Sequence, residues 1–294
     1  MPRILIIGGT GMLGRPVAVH LLNENFQVRI FTTNENRAKA FFGDRVEYAP
    51  GDVGNIDSLR KGIEGCDAIY INLKGGPLPA DYIRIEQEGS KNIYRAALEV
   101  GVNRVVQISE ARADKKHSQF IHEKVKYEAE KVMVASGLNY TILKPTWFCE
   151  SLPLFLKDNK AVYIGSGKTL FHFLAVADYA RIVAECFKSD KANNKILTIF
   201  GPEAMPISEA LRRFLEICHP DIAIDRLPIW LAKFSMLFMF NKTLKSAVNL
   251  MAFFDKHGDD EVETSPDEAD RLFGRSTITV EEWAKIYRKI VKGV

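Results

Sequence analysis

Cysteine is scarce in this chain: only Cys66, Cys149, Cys186 and Cys218 occur among its 294 residues. No two of them form a Cys-x-x-Cys pair, and all four are far apart. This spacing argues against a disulfide framework or a cysteine zinc site and favours buried thiols. The six histidines also lack metal-ligand spacing, so the sequence predicts no metal site.

A strong excess of charge of one sign is also missing. The formal net charge is +3, from 40 basic and 37 acidic residues, which argues against a dedicated nucleic-acid-binding protein. No run of 18 apolar residues occurs, and the nearest approach, residues 229–240, is interrupted by Lys233. The N-terminal run Ile4–Ile7 is too short for a signal-peptide core. These absences predict a cytoplasmic protein with no transmembrane segment.

The first half of the chain contains a regular alternation of short apolar runs and helical patterns. The apolar runs predict strands at 3–7, 27–32, 46–48, 68–73, 104–109 and 140–144. The helical patterns between them cover residues 13–23, 35–42, 56–63, 81–100 and 120–136. Such alternation predicts right-handed strand–helix–strand units, and therefore an α/β fold with a doubly wound parallel Rossmann sheet.

The regular alternation of predicted strands and helices ends after Pro145, and we expect a domain boundary there. Residues 1–146 are predicted to form the Rossmann domain, and residues 147–294 a smaller C-terminal α/β cap. Within the cap, residues 178–201 end in an apolar run and are expected to pack back on the main sheet. Further helices are predicted at 208–217, 231–254 and 280–291.

The strongest motif is the glycine-rich loop at residues 8–14, with the sequence Gly-Gly-Thr-Gly-Met-Leu-Gly. It follows the first predicted strand and begins the first predicted helix. Glycine there permits a tight turn and a close backbone approach to a pyrophosphate, and the helix N-terminus offers free N–H groups. The loop therefore predicts a dinucleotide site. The residues expected to hold the cofactor are Gly8, Thr10, Gly11, Met12, Leu13 and Gly14.

The spacing of Gly8, Gly11 and Gly14 resembles that of the extended and atypical short-chain dehydrogenases. Residues 136–145 and 200–204 resemble the NmrA-like group of these proteins more specifically. The resemblance implies an NAD(P)-binding Rossmann protein, with adenine beside the end of the third strand and the nicotinamide ribose beside the fourth. The residues at these two places are Asp52, Val53, Asn72 and Leu73.

The end of the second strand should decide between NAD and NADP. NAD sites place an acid there, whereas NADP sites place an Arg or Lys beside the extra phosphate. The chain has Thr33, Asn34 and Arg37 near this point, with no acid directly at the strand end. NmrA-like members often carry Arg where this chain has Thr33, so Arg37, with Lys39, would supply the charge. The sequence favours NADP, although Arg37 could instead be a solvated helix residue.

Two pairs on one predicted helix have the spacing of the Tyr and Lys that short-chain dehydrogenases use. At about 100° per residue, His122 and Lys126 flank the apolar stripe, whereas Tyr127 and Lys131 point to the opposite face. We therefore predict that Lys126 anchors the ribose. His122 stands at the usual Tyr position, either as the proton-transfer group or as a wall of the pocket. Ser109 matches the superfamily's substrate-polarising Ser, or it only caps a strand end.

Aromatic residues that follow the end of this alternation are candidates to line the substrate pocket. They are Trp147, Phe148 and Phe171. A second stripe falls at helical spacing and would be core, the wall of a pocket for an apolar ligand or, within residues 229–254, a contact for a protein partner or a membrane surface. It consists of Trp230, Phe234, Leu237 and Phe238.

Three functional hypotheses remain at this point. The first is an NADP-dependent reductase or isomerase of a small apolar or aromatic substrate. The second is a non-catalytic NADP-binding redox sensor, because the usual Tyr is missing. The third is an enzyme like the nucleotide-sugar epimerases, which normally need that Tyr.

Overall fold

The structure is a computed structural model that describes residues 1–76, 78–157, 159–235 and 242–292. The strands, in chain order, are β1 (Arg3–Ile7), β2 (Gln27–Thr32), β3 (Glu47–Pro50), β4 (Ala68–Ile71), β5 (Arg104–Ile108), β6 (Asn139–Pro145), β7 (Trp147–Phe148), β8 (Leu156–Lys157), β9 (Lys160–Ile164), β10 (Leu170–Leu174), β11 (Lys195–Ile199), β12 (Ala204–Pro206) and β13 (Ile224–Leu227). The α-helices are α1 (Gly14–Asn23), α2 (Glu35–Phe42), α3 (Ile56–Ile63), α4 (Pro79–Tyr82), α5 (Gly89–Val100), α6 (Ile121–Ala135), α7 (Val176–Lys188), α8 (Ile207–Cys218), α9 (Ile229–Ser235), α10 (Lys242–Phe254), α11 (Asp267–Phe273) and α12 (Val280–Lys292).

Seven strands form one sheet in the order β3-β2-β1-β4-β5-β6-β11, and every neighbouring pair in it is parallel. The chain moves outward from β1 to β3 and then returns to place β4 on the other side of β1. This reversal creates a crevice at the carboxyl ends of β1 and β4, where open α/β sheets bind their ligands. The predicted doubly wound Rossmann fold is confirmed.

Strand β1 shows why both faces of the sheet are covered by helices. Ile4 and Ile6 belong to one hydrophobic layer, whereas Leu5 and Ile7 belong to the other. Successive side chains of a strand point to opposite faces, so a strand buried on both faces is apolar at every position. That requirement produces the uninterrupted apolar runs that were visible in the sequence.

The predicted helix over residues 81–100 is interrupted, and the prediction of one regular helix is wrong in its first part. Residues Ile83–Glu88 form a π-helix between α4 and α5. A π-helical turn inserts an extra residue and rotates the side chains around it. Glu86, within this segment, is only 4% exposed. Hydropathy periodicity at 3.6 residues per turn cannot reveal such an insertion.

The second half of the chain returns to the main sheet once. Strand β11 pairs with β6, with Lys195 opposite Thr141 and Ile199 opposite Pro145. This strand is the apolar run that the sequence analysis expected to pack on the main sheet. The remaining strands form two three-stranded sheets, β12-β10-β7 and β13-β9-β8. A division of the chain into two domains after residue 146 stays a prediction.

The predicted helix over 231–254 is described in two pieces, α9 and α10. Leu237 and Phe238 of the aromatic stripe lie outside the described residues. Trp230 and Phe234, by contrast, are 71% and 55% exposed, so the core interpretation of this stripe is wrong for them. Across the described ranges, no helix combines the length and apolar character needed to cross a bilayer.

Candidate functional site

The glycine-rich loop joins β1 to α1 and lies against the end of β4. Gly8 has a φ of +86°, and a Cβ on it would lie 2.0 Å from the carbonyl oxygen of Asn72. A Cβ on Gly14 would lie 2.2 Å from the carbonyl oxygen of Gly8. No side chain fits at such distances, so the fold of the loop itself requires glycine at both positions.

Gly11 differs from the other two glycines of the motif. It is exposed, and a Cβ there would contact only the Gly8 carbonyl oxygen, at 3.3 Å. Internal packing therefore does not explain this glycine, whereas a ligand that approaches the backbone closely would.

The start of α1 is open to an anion. Leu13, at the N-cap, makes no side-chain hydrogen bond to the helix. The first N–H groups of a helix lack partners within it, and they attract negative charge. Thr10 is half-buried and Met12 is 45% exposed, so the loop offers both backbone and side-chain surface to a bound pyrophosphate.

The end of β2 carries the residues expected beside the adenosine. Thr33 and Asn34 are exposed, and Asn34 Oδ1 accepts a hydrogen bond from the Arg37 backbone N–H at 2.9 Å. Asn34 therefore caps α2 and orients its first turn. Lys39 is bound to Glu35, with its Nζ 2.6 Å from the carboxylate, so its charge is already balanced.

Arg15 was missed by sequence reasoning, although it follows Gly14 directly. Its guanidinium carbon lies 4.8 Å from the centre of the Phe41 ring, and that of Arg37 lies 5.8 Å from the same ring. The Phe41 ring thus contacts one guanidinium group from α1 and one from α2. The only signal in the sequence was a basic residue at the start of α1.

The turn after β3 is shaped by Asp52. Its Oδ1 accepts a hydrogen bond from the Gly54 N–H at 2.7 Å, and its backbone N–H donates to Ser58 Oγ at 3.2 Å. Val53 is buried, and its carbonyl oxygen accepts from the Asn92 amide at 3.0 Å. The side chain of Asp52 itself is exposed at the edge of the sheet.

Lys126 of α6 reaches the carboxyl end of β4. Its Nζ donates to the carbonyl oxygen of Leu73 at 3.1 Å and lies 2.8 Å from Glu86. Glu86 also accepts a hydrogen bond from the Gly75 N–H at 2.5 Å. Sequence reasoning missed Glu86, because nothing in the sequence indicates which distant side chain it meets.

The charge of Lys126 is stabilised by its surroundings. Burial lowers the pKa of Lys126, but the carboxylates of Glu86, Glu110 and Glu130 outweigh that effect and raise it. The amine is therefore protonated at neutral pH. A buried cation at the end of the β1–β4 crevice can bind hydroxyl groups of a ribose or the oxygen of a substrate.

In the other candidate pair on α6, Lys131 lies on the outer face, as the helical periodicity predicted, whereas Tyr127 is half-buried. Lys131 is exposed, and its Nζ contacts Glu128 at 2.8 Å and lies 5.1 Å from the Tyr127 ring centre. His122, by contrast, packs edge-on against the ring of Tyr82, with 4.3 Å between the ring centres. The structure therefore brings His122, rather than Tyr127, next to the residues around Lys126.

Ser109 lies at the end of β5 and is only 2% exposed. Its hydroxyl donates to Glu130, and the other oxygen of Glu130 lies 3.3 Å from Lys144 Nζ. Burial raises the pKa of Glu130, while Lys144 and Ser109 act in the opposite direction. Ser109 is thus part of a buried polar network that fastens α6 to the sheet.

A cavity of about 300 Å³ lies beside His122, between α4, α6 and α10. Sequence reasoning missed it, because three segments that are distant in the chain contribute its walls. Most of its lining is apolar, namely Leu78, Pro79, Phe120, Ile121, Leu250 and Phe253.

Glu123 borders the same cavity and was also missed. It is 1% exposed, and neither of its carboxylate oxygens has a hydrogen-bond partner in the described part of the chain. Burial, followed by the charge of Glu110, raises the pKa of Glu123 to about 8. At neutral pH the side chain is therefore mostly an uncharged acid, which can donate a hydrogen bond.

The three aromatic residues predicted to form a substrate wall do not lie together. Trp147 and Phe171 pack against each other in the cap, with 4.9 Å between ring centres, and Phe171 is fully buried. Phe148 instead packs against Tyr179, 5.4 Å away, in the core beneath the main sheet. A direct role for them in substrate binding stays a prediction.

Residues after α10 are tied to the loop between β5 and α6. The Arg112 guanidinium lies 2.7 Å from Asp259, and both side chains are buried. Possible metal ligands of His117, His257 and Glu261 also converge here, within 4.8 Å of one another. The spacing of histidines in the sequence did not indicate this cluster. Glu261 is already bound to the Lys116 ammonium group at 2.5 Å, so the cluster is balanced by a lysine.

Comparisons with known proteins agree with this geometry. Residues 8–190 match the NAD(P)H-binding family. The photosystem II assembly factor Ycf39 of Cyanophora paradoxa is 25% identical over 231 residues, which are 77% of this chain and 72% of that protein. The chloroplastic divinyl chlorophyllide a 8-vinyl-reductase of Arabidopsis thaliana is 30% identical over 224 residues, 68% of this chain and 53% of that protein.

Solved structures show the same fold. The NADPH-dependent quinone oxidoreductase QOR2 of Escherichia coli, complexed with NADPH, has a TM-score of 0.75 to this chain at 21% identity. The likeness covers 97% of this chain and 99% of that one. The glycine loop, the sheet order and the match over residues 8–190 lead to one assignment. The chain belongs to the NAD(P)H-binding family, and the predicted NAD(P)-binding Rossmann protein is confirmed.

Proposed function

We propose that this chain is an NADP-dependent reductase or isomerase of a small, largely apolar substrate. The observation that carries the proposal is the buried Lys126 ammonium group at the end of the β1–β4 crevice, bound to Leu73 and Glu86. A cation fixed there can hold ribose hydroxyls and so direct a nicotinamide ring toward the cavity beside His122. The open Gly11 surface and the uncapped start of α1 fit the pyrophosphate of the same cofactor.

The chemistry divides between cofactor and protein. When bound, NADPH supplies a hydride to the substrate. The chain's own residues orient the substrate and provide the proton that completes the reduction. His122 borders the cavity, and a histidine exchanges protons near neutral pH. Ser109 is the second candidate, but its hydroxyl already donates to Glu130, which favours His122 as the proton donor.

Two arginines support NADP over NAD. Arg15 and Arg37 both lie over the Phe41 ring beside the end of β2. The extra phosphate of NADP is expected near that strand end, and arginine binds phosphate with two parallel hydrogen bonds. No acid stands directly after β2 to favour the ribose hydroxyls of NAD.

A second candidate function is a non-catalytic NADP-binding redox sensor. The specific observation in its favour is that His122 stands where short-chain dehydrogenases carry their Tyr, and that its ring packs against Tyr82. The third hypothesis, a nucleotide-sugar epimerase, is weakened by the same missing Tyr. A cytoplasmic location also stays a prediction.

The purified chain, mixed with NADPH and a panel of quinones, enones and aldehydes, separates these possibilities. We expect NADPH oxidation with at least one member of the panel. His122→Phe should lower that turnover by roughly 10²–10⁴-fold and leave NADPH binding unchanged. If wild type binds NADPH but oxidises it with no member of the panel, the sensor function replaces the proposed one. Absence of NADPH binding would overturn both.

A further inference from the structure

Helix α9 presents an apolar face to solvent. At about 100° per residue, Trp230, Leu231 and Phe234 fall within one third of a turn. Their exposed fractions are 71%, 38% and 55%, whereas Ala232, on the opposite side, is fully buried. The helix is therefore fixed to the protein by its small side and shows its large apolar side chains outward. Clustered exposure of this kind marks an interaction surface.

The surroundings of this face are basic. A shallow groove of about 670 Å³ beside Trp230 is lined by Arg226, Lys233 and Lys256. The acid in this lining, Asp255, accepts hydrogen bonds from the Ser166 backbone N–H and hydroxyl. One of its carboxylate oxygens is therefore already hydrogen-bonded within the protein.

The distribution of charge along the chain points the same way. Residues 226–254 contain no Asp or Glu, although the whole chain has 37 acidic residues. The same stretch contains four basic residues, Arg226, Lys233, Lys242 and Lys245. A segment that is aromatic, basic and free of acids is complementary to a surface that is apolar inside and anionic outside.

We propose that α9 and the adjoining groove dock this protein on an anionic phospholipid membrane. Trp230 and Phe234 enter the headgroup layer, where aromatic rings are favoured. Arg226, Lys233 and Lys256 meet lipid phosphates, as basic residues flanking an interfacial helix do. The contact is peripheral, and it does not depend on the proposed catalytic function.

Vesicle sedimentation tests the proposal with the full chain. Vesicles of phosphatidylcholine alone are compared with vesicles of equal parts phosphatidylcholine and phosphatidylglycerol. We expect the protein to pellet with the mixed vesicles and to remain largely in the supernatant with the neutral ones. Added salt should reduce binding, because screening weakens the attraction of exposed charges to the surface. No pelleting with either kind of vesicle would overturn the proposal.

Variants locate the contact. Trp230→Ala and Lys233→Glu should each weaken binding to the mixed vesicles roughly tenfold. Ile290→Ala is the matched control, because Ile290 is 75% exposed on another helix, α12, and it should bind like wild type. A thermal melt confirms that each variant is folded. Equal binding by all three variants would refute the assignment to α9. A dimer dissolved by Trp230→Ala, without vesicle binding, would show a second copy there instead.

Discussion

The glycines of the loop have different roles, some in the fold of the loop and one in ligand binding. Gly8 and Gly14 are required by contacts within the loop, whereas Gly11 leaves space that only a ligand would use. The same distinction applies at the far end of the crevice, where Lys126 faces the site and Lys131 faces solvent. Substitutions at these positions therefore separate cofactor binding from folding.

The first prediction concerns Gly11→Val. A branched side chain would fill the space left for the pyrophosphate, so the variant should lose NADPH binding while its melting temperature stays close to that of wild type. Fluorescence titration with NADPH and a thermal melt measure the two quantities. Gly14→Val is the contrast, because its Cβ would collide with the Gly8 carbonyl oxygen and should lower both. NADPH affinity like that of wild type in folded Gly11→Val would contradict the pyrophosphate position.

The second prediction concerns cofactor choice. Arg37→Ala and Arg15→Ala should each weaken NADPH binding by about 1.5–3 kcal/mol, the cost of a lost charged hydrogen bond, and leave NADH binding nearly unchanged. Titrations with both cofactors measure this. Lys39→Ala is the control, since Lys39 is paired with Glu35. Equal losses for the two cofactors would mean that the arginines only support the structure.

The third prediction concerns Lys126. Its removal should abolish turnover and weaken dinucleotide binding, but Lys126→Ala alone would leave Glu86 as an unpaired buried charge. The double variant Lys126→Ala with Glu86→Gln removes that complication. Lys131→Ala should change binding and turnover little, because solvent-exposed substitutions usually cost within about 0.5 kcal/mol. Full turnover in the folded double variant would exclude Lys126 from the site.

At the scale of one element, α6 carries both an expected and an unexpected feature. Its periodicity placed Lys126 and Tyr127 on different faces, and the structure agrees. Periodicity places Glu123, four residues before Tyr127, on the outer face, whereas the structure buries it without a hydrogen-bond partner in the described part of the chain. Its presence makes the stability of the protein depend on pH.

The fourth prediction follows from Glu123. The pKa of this acid is about 8 in the folded chain and about 4.5 when unfolded, so the folded state holds an extra proton between those values. Stability is thus highest at the acidic end of this range and falls as the pH rises. Relative to Glu123→Gln, the wild-type unfolding free energy should fall by up to about 1.4 kcal/mol per pH unit.

Urea denaturation of both proteins at several pH values between 5.5 and 7.5, chosen inside this window, measures that slope. Glu128→Gln on the same helix is the control, because Glu128 is partly exposed and paired with Lys131. Its stability should run parallel to that of wild type. A constant difference between wild type and Glu123→Gln at all pH values would show that Glu123 ionises normally.

At the scale of the whole molecule, one buried ion pair joins the C-terminal part to the Rossmann sheet. Asp259 binds Arg112 at 2.7 Å and also lies 3.1 Å from His172 Nδ1. The fifth prediction is that Asp259→Ala destabilises the protein by about 3–5 kcal/mol, since it leaves Arg112 buried without its partner. Denaturation of Asp260→Ala, at the exposed neighbouring residue, is the control. Similar stability of both variants would show that the pair contributes little.

The doubly wound parallel sheet and the phosphate loop followed from the sequence alone. Both depend on local rules, namely apolar runs for strands buried on two faces, 3.6-residue periodicity for helices, and glycine where a Cβ would collide. These rules act within a few residues, so β1, α1 and Gly8 could be placed without a structure.

Only the tertiary structure decided how the site is completed. Glu86 binds Lys126, Arg15 and Arg37 both contact the Phe41 ring, and the cavity beside His122 takes its walls from α4, α6 and α10. The exposed face of α9 was equally undetermined. Each depends on which distant segments pack together, and hydrophobic periodicity indicates that a side chain is buried without indicating against what.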